Sequence, residues 1–423
     1  MKLLLTFGLI ASLAFAQQDV KQRARAAHEL AKQGEDAIPK LLPYVSDNDI
    51  SVRIEAVKAL DEIGGPKTVD PLVKLCTDPD PEIEIRATDG LVNVYLPGYL
   101  KTGLSGTLQR VGTSIKAKFS DSNDRVIDAY VEVRPEVIAA LGKLVRTGAG
   151  TDARANAARA IGILRGRAAI PDLIEALHSK DDSVMFESLT ALEKIRDPAA
   201  APRITFLLRD LEEKIQIAAL STTGILRNRE AAPDVREALQ HAKNAKVRRA
   251  ALTTLAMLGT PDDHAVFVTY LSDKDDNMRS SAAEGLGRIQ NPADRPALDK
   301  AFKDEHKMGP RLAAAFALVS LGNLDTAEFA PLRYLVNTLN VRTYQGVALA
   351  YLTELARDLK VRMAIYPLLT QATKDEKIQL CTVFARSGDK DSLPYLETLS
   401  TDPDKDVAPE AIRSLRTLRA RLP

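Results

Sequence analysis

Five histidines, His28, His178, His241, His264 and His306, are the side chains best suited to proton transfer or metal ligation here. Histidine changes charge near neutral pH and is the commonest metal ligand, so several close together would mark a site. They are scattered. Only His28 is followed by an acid, as His28-Glu29; the others read His178-Ser179, His241-Ala242, His264-Ala265 and His306-Lys307. The two cysteines, Cys76 and Cys381, lie far apart along the chain, and both read as small buried residues. Phosphate-loop, H-E-x-x-H and G-x-S-x-G patterns are absent, and Gly285-Leu286-Gly287 reads as a helix fragment. Acidic turns (SDND, TDPD, SKDD, SDKDD, STDPD) offer oxygens that suit calcium, but none carries the spaced set ending in Glu. They read instead as helix caps. No catalytic, cofactor-binding or metal set is expected, and no cofactor.

What recurs is an apolar anchor with a small residue four places on and an apolar residue eight places on. The blocks are VRIEAVKAL from Val52, IEIRATDGL from Ile83, ARANAARAI from Ala153, VMFESLTAL from Val184 and IQIAALSTT from Ile215. They continue as VRRAALTTL from Val247, MRSSAAEGL from Met278, PRLAAAFAL from Pro310, VRTYQGVAL from Val341, IQLCTVFAR from Ile378 and VAPEAIRSL from Val407. Val20 starts a weaker copy. Anchors 52 and 83, 153 and 184, 184 and 215, and 247 and 278 each differ by 31, whereas the last two gaps are 37 and 29. Self-similarity at such a period is the signature of a repeat array. The spacing predicts a long helix B whose anchor, +4 and +8 residues share one face.

A second series marks a shorter helix A in each unit: Pro39, Pro71, Pro171, Pro202, Pro233, Pro296, Pro331, Pro367 and Pro394. Proline suits a first helical turn, where its missing N–H would have no intrahelical partner anyway. Asp49, Asp80, Asp181, Asp275, Asp375 and Asp404 sit just before helix B as caps, and Gly64, Gly259 and Gly322 close it. Arg53, Arg154, Arg248, Arg279, Arg311 and Arg342 follow the anchor by one place. They are expected to form an internal ladder with the turn aspartates, the alternative being a grip on an acidic partner. Six places after the anchor the early units carry polar residues and the late ones Phe316, Val347 and Phe384. With Leu312 and Leu380 these form a candidate apolar, partner-binding groove, against the alternative that shifted spacing buries them.

The chain has 423 residues with 58 basic and 57 acidic side chains, and a basic face of the kind that grips nucleic acid is not expected. Met1-Lys2, the apolar run Leu3–Ala16 and the Ala14-Phe15-Ala16 motif read as a secretory leader cut between Ala16 and Gln17. The chain is therefore expected to be exported, periplasmic or secreted, and not membrane-spanning after cleavage. Between anchors 83 and 153 the gap widens to 70. The extra segment, 97–134, alternates apolar and polar residues at Ile115, Ala117 and Phe119, and again at Ala129, Val131 and Val133. Asp121-Ser122-Asn123-Asp124 between them predicts a small β-hairpin. It reads as a tolerated loop or a cap over the gap, the alternative being a binding excursion using Lys116, Lys118, Phe119 and Tyr130. The organisation expected is a leader (1–16), N-terminal repeats (17–96), the inserted segment (97–134) and a main array (135–423).

The blocks VRRAALTTLAMLG and ARANAARAIGILRGRAAIPDLIEAL resemble HEAT-like repeats of the short subclass first associated with phycobilisome lyases. The resemblance covers most of the chain. It implies an all-α, right-handed α–α superhelix, and a protein or peptide partner bound on the solenoid surface without catalysis. Two enzymatic relatives supply the alternative, a bilin lyase or a deoxyhypusine-hydroxylase-like oxidoreductase. The latter kind holds two irons through several His-Glu pairs, and this chain has one.

Overall fold

The computed structural model describes residues 19–99 and 126–422, and every regular element in them is helical. The described residues form two units: 19–99, 126–127 and 131–204 make unit 1; 128–130 and 205–422 make unit 2. In unit 1, after helical residues 19–30, come α1 (Ile38–Val45), α2 (Ile50–Ile63), α3 (Val69–Leu75), α4 (Pro81–Tyr95), α5 (Pro135–Thr147), α6 (Thr151–Ile163), α7 (Ile170–Ala176) and α8 (Asp182–Ile195). Unit 2 holds α9 (Glu213–Ile225), α10 (Ala232–His241), α11 (Ala245–Leu258), α12 (His264–Tyr270), α13 (Asp276–Ile289), α14 (Arg295–Asp304) and α15 (Met308–Ser320). It continues with α16 (Pro331–Thr338), α17 (Gln345–Leu355), α18 (Leu359–Ile365), α19 (Lys374–Ser387), α20 (Leu393–Leu399) and α21 (Val407–Arg421).

The long helices stack in chain order within each unit: α2, α4, α6, α8 in the first, and α9, α11, α13, α15, α17, α19, α21 in the second. This is a helical solenoid, and the anchor pattern explains it. Val52, Ile83, Ala153, Val184 and Ile215 are fully buried, as are Ala56, Ala87, Ala157 and Ala219 four places on. Leu60, Leu91 and Ile161, eight places on, are buried as well. A helix this short holds such a face out of water only against a neighbour, so stability comes from stacking. Nine places after the anchor the backbones nearly touch: a Cβ added to Gly162 would lie 2.7 Å from Ala191 Cα, and one on Gly287 2.6 Å from Ala317 Cα.

The turns close as their residues require. Asp49 accepts from Ser51 N–H at 2.9 Å, Asp80 from Glu82 N–H at 2.9 Å, Asp181 from Ser183 N–H at 3.0 Å and Asp275 from Asn277 N–H at 2.9 Å. Two expected caps differ. Thr373, not Asp375, caps α19, in a reciprocal box with Glu376 that leaves Asp375 inside the first turn. Asp404, three residues ahead of α21, accepts from Asp406 N–H at 2.9 Å and more distantly from Val407 N–H at 3.4 Å. Gly64, Gly259 and Gly322 adopt positive φ, as terminators should.

Where Pro202 predicts a helix A, two 3₁₀ segments run instead, Pro198–Arg203 and Thr205–Arg209. Pro202 therefore lies within a 3₁₀ segment and does not open an α-helix, although Pro39 and Pro43, also four apart, both lie in α1. The expected hairpin is not supported either. Its second arm, Ala129–Val133, is turn and irregular backbone, with Ile127 N–H donating to Ile163 O at 3.0 Å. Its first arm, with Lys116, Lys118 and Phe119, lies outside the described residues, as do Ala16 and Gln17. Among the described residues no strand occurs, and no helix is long and apolar enough to cross a membrane.

Candidate functional site

The position six places after the anchor, read above as the lip of an apolar groove, is buried in most units. Asp89, Arg159, Thr190 and Glu284 are each at most 9% exposed; Phe316 and Phe384 are fully covered. Leu312 and Leu380 are also fully buried, and only Val347, at 42%, faces solvent. The exposed groove is therefore absent, for two reasons. On α15 the Phe316 ring stacks on Tyr351 at 4.5 Å between centroids, and the Arg288 guanidinium lies 5.1 Å from its centre. On α19 the long gap in the repeat shifts the register: Leu380 and Phe384, four apart, form the core stripe, while the expected anchor Ile378 is only half-buried.

In unit 2 this covered position is the centre of an ionic cluster. Arg288 on α13 forms a bidentate pair with Glu354 on α17, at 3.0 and 2.8 Å, and also binds Glu284 one turn back. Glu284 accepts a hydrogen bond from the Tyr351 hydroxyl at 2.8 Å. Arg227, just past the end of α9, donates to the same Glu354 at 2.8 Å. Burial alone would push the Glu354 carboxyl up. The hydrogen bond and charge of Arg288, then of Arg227, outweigh it and hold the carboxyl down to about 2. Burial likewise works against the Arg288 charge, but Glu284 and Glu354 together push its pKa up. Tyr351 is raised well above the phenol range, by burial and then by Glu284.

Beside the cluster lies a cavity of about 340 Å³ at the carboxy-terminal ends of α11, α13, α15 and α17. Its lining includes Arg227, Arg229, Arg288, Arg357, Glu354 and Asp358, with Phe316 and Val319. The backbone that delivers Arg227 is left-handed, φ 54°, a conformation costly for a residue with a Cβ. The same conformation recurs at Arg165, Arg196, Gly259 and Gln290, one per repeat.

Unit 1 has its own cluster at the same register. Arg159 on α6 pairs with Glu187 on α8 at 3.2 Å through two nitrogens and donates to Asn156, whose amide donates to Asp89 at 3.0 Å. Burial works against the Arg159 charge, and Glu187 outweighs it, so its pKa rises.

The arginine ladder is internal in part. Arg53 binds Asp78 of the next turn at 2.7 Å and Asp47 O of its own at 2.9 Å; Arg279 does the same with Glu305 and Asp273 O. Arg249 rather than Arg248 takes Asp275, Arg154 donates to Val145 O, and Arg311 lies over the rings of Phe302 and Tyr334. Arg342 is exposed. The histidines have separate surroundings: His28 meets Glu55 at 3.2 Å, His241 the Glu237 carbonyl, and His264 Asp294 at 2.9 Å. Among the described residues no three His, Cys, Asp or Glu side chains converge as a metal site would require. Burial pushes both thiols, Cys76 and Cys381, up to about 12, which leaves them protonated and inert at neutral pH. Tyr130 is 38% exposed and donates to Asp128 at 3.0 Å.

Sequence reasoning missed Arg288, Glu354, Tyr351 and Arg227. The available signal was polarity at the sixth place, where Asp89, Arg159 and Glu284 stand.

The family model of HEAT repeats matches residues 9–91, 138–220 and 202–269, together about half of the chain. A curated relative, the phycocyanobilin lyase subunit alpha of Nostoc sp. (strain PCC 7120), is 29% identical over 152 residues, covering 33% of this chain and 55% of the relative. The chain thus spans about half the length of the curated relative it matches. Among solved structures, the complex of CpcE and CpcF of phycocyanin lyase from Nostoc sp. PCC7120 aligns with 21% identity and a TM-score of 0.37, covering 63% of this chain and 92% of that one. Importin beta aligns with 13% identity and a TM-score of 0.39, covering 91% of this chain and 63% of that one. The repeated anchors, the stacked helix pairs and the matched model agree: this chain belongs to the HEAT-repeat family.

Proposed function

We propose that the chain is a non-enzymatic scaffold that binds a protein or peptide on its solenoid surface, in the cell envelope or outside the cell. The observation that carries this reading is the state of the charged groups on the long helices. Arg288 is bound to Glu284 and Glu354, and separately Arg159 to Glu187, so these groups fasten helices together rather than waiting for a substrate. A general acid or base needs a pKa near the working pH; Glu354 is driven away from it, to about 2. Stacked repeats instead present a large, rigid area, which is what contact with a macromolecule uses. Export rests on the Leu3–Ala16 run and the Ala14-Phe15-Ala16 motif.

The test is capture of partners from an envelope extract by the mature chain, with amino-terminal sequencing of the cell-derived protein. One partner retained in defined stoichiometry and a first residue of Gln17 are expected. No retained partner overturns the scaffold reading, and an intact amino terminus overturns export. A second reading, a HEAT-like lyase or oxidoreductase, is favoured by the relative that is a lyase subunit. A chromophore or stoichiometric iron in purified protein, seen by absorbance and metal analysis, would establish it instead.

A further inference from the structure

We propose that the cavity beside the unit 2 cluster receives a carboxylate side chain from an acidic segment of the partner, held between Arg229 and Arg357. The proposal rests on the scaffold reading and names the chemistry of its partner. Four arginines line the cavity against two acids, Glu354 and Asp358. Both acids are already engaged. Glu354 is shared by Arg227 and Arg288, and Asp358 caps α18 by accepting from Lys360 N–H at 2.9 Å. Arg229 donates its Nε to Leu258 O at 3.0 Å, which leaves its outer nitrogens. Among the described residues neither Arg229 nor Arg357 has a carboxylate within ion-pair distance, and both are exposed. Two guanidinium groups with uncompensated charge thus border one recess.

The neighbouring Glu354 shows how this recess holds a carboxylate: between two guanidinium forks, at 2.8 to 3.0 Å. That planar, multidentate geometry is what arginine offers and lysine does not. The recess is firm, because Phe316, Val319 and Val361 behind it are buried and packed. Its volume of about 340 Å³ is at the small end of ligand pockets, enough for a side chain and its neighbour but not for a helix. An extended acidic stretch that inserts one Glu or Asp fits these limits.

The experiment is fluorescence anisotropy of fluorescein-labelled hexaglutamate with the full mature chain at low salt, with labelled hexaglutamine as the neutral control. Hexaglutamate is expected to bind, and hexaglutamine not. The Arg229→Gln/Arg357→Gln double variant is expected to weaken binding by about tenfold or more, two charge-assisted hydrogen-bonding groups being lost. Arg229→Lys/Arg357→Lys should restore part of it, and a thermal melt confirms that both variants fold. Equal binding of the two peptides, or hexaglutamate binding untouched by the double Gln variant, overturns the proposal. Free glutarate binding as tightly as the peptide overturns the partner assignment and makes the recess a small-molecule site. A captured partner that binds the double Gln variant as well as wild type sinks the cavity assignment and leaves the scaffold reading standing.

Discussion

Unit 1 and unit 2 each hold a largely covered arginine on a long helix, but the partners lie at different distances along the chain. Arg159 reaches Glu187, 28 residues on, in the adjacent long helix. Arg288 reaches Glu354, 66 residues on, past the whole of α15, and Arg227 meets the same carboxylate across 127 residues. Stacked repeats normally couple only to their neighbours, so their stability is close to a sum of local terms. The unit 1 cluster fits that scheme. The unit 2 cluster adds a tie between repeats that are not neighbours in the stack, and it does so over the ring of Phe316, which is buried. A covered arginine on a long helix thus makes a local fastening in one unit and a longer-range tie in the other.

The sharpest way to break this contrast is to remove each arginine. Arg288→Met leaves Glu284 and Glu354 without their shared cation, and should cost about 3–5 kcal/mol in a urea melt. Arg159→Met strands Glu187 alone and should fall at the lower end, about 3 kcal/mol. Equal losses, or a larger loss for Arg159, would remove the distinction. Acid sharpens it next. Folding lowers the Glu354 pKa, so its contribution is present above the ordinary carboxylate range and is lost as pH falls from about 4.5 to about 2. Wild type should lose about 2 kcal/mol more than Glu354→Gln between neutral pH and that window, read from urea midpoints. Parallel pH profiles would show that the pair contributes nothing. The smallest effect concerns the left-handed positions. Arg196→Gly in unit 1 should stabilise by up to about 1 kcal/mol by relieving the backbone. Arg227→Gly in unit 2 gains the same relief but loses the bond to Glu354, so its melting temperature should not rise.

The helix pairs were legible in the sequence because everything that defines them is local. Val52, Ala56 and Leu60 share one helical face, Asp49 and Asp80 sit two residues before the N–H groups they cap, and Gly259 terminates α11. Legibility failed where local pattern competes with something else. Pro202 invites an α-helix, but the chain there runs in two 3₁₀ segments. The gap of 37 before Ile378 hides a register change that turns Leu380 and Phe384 from an exposed stripe into core. The unit 2 cluster failed most completely, since no periodicity connects Arg227, Arg288 and Glu354. The recurrence of left-handed residues at Arg196, Arg227, Gly259 and Gln290 was present in the repeat spacing, but three of the four are not glycine, so composition did not mark them.

A double-mutant cycle between Arg288 and Glu354 tests the longer-range tie in unit 2 most directly. Arg288→Met, Glu354→Gln and the double variant would be unfolded in urea beside the wild type. A coupling free energy of about 1 kcal/mol or more is predicted, since contacting residues in one ionic network couple by that order. Additive losses, with coupling indistinguishable from zero, would mean that the two repeats are not tied together and would contradict the account.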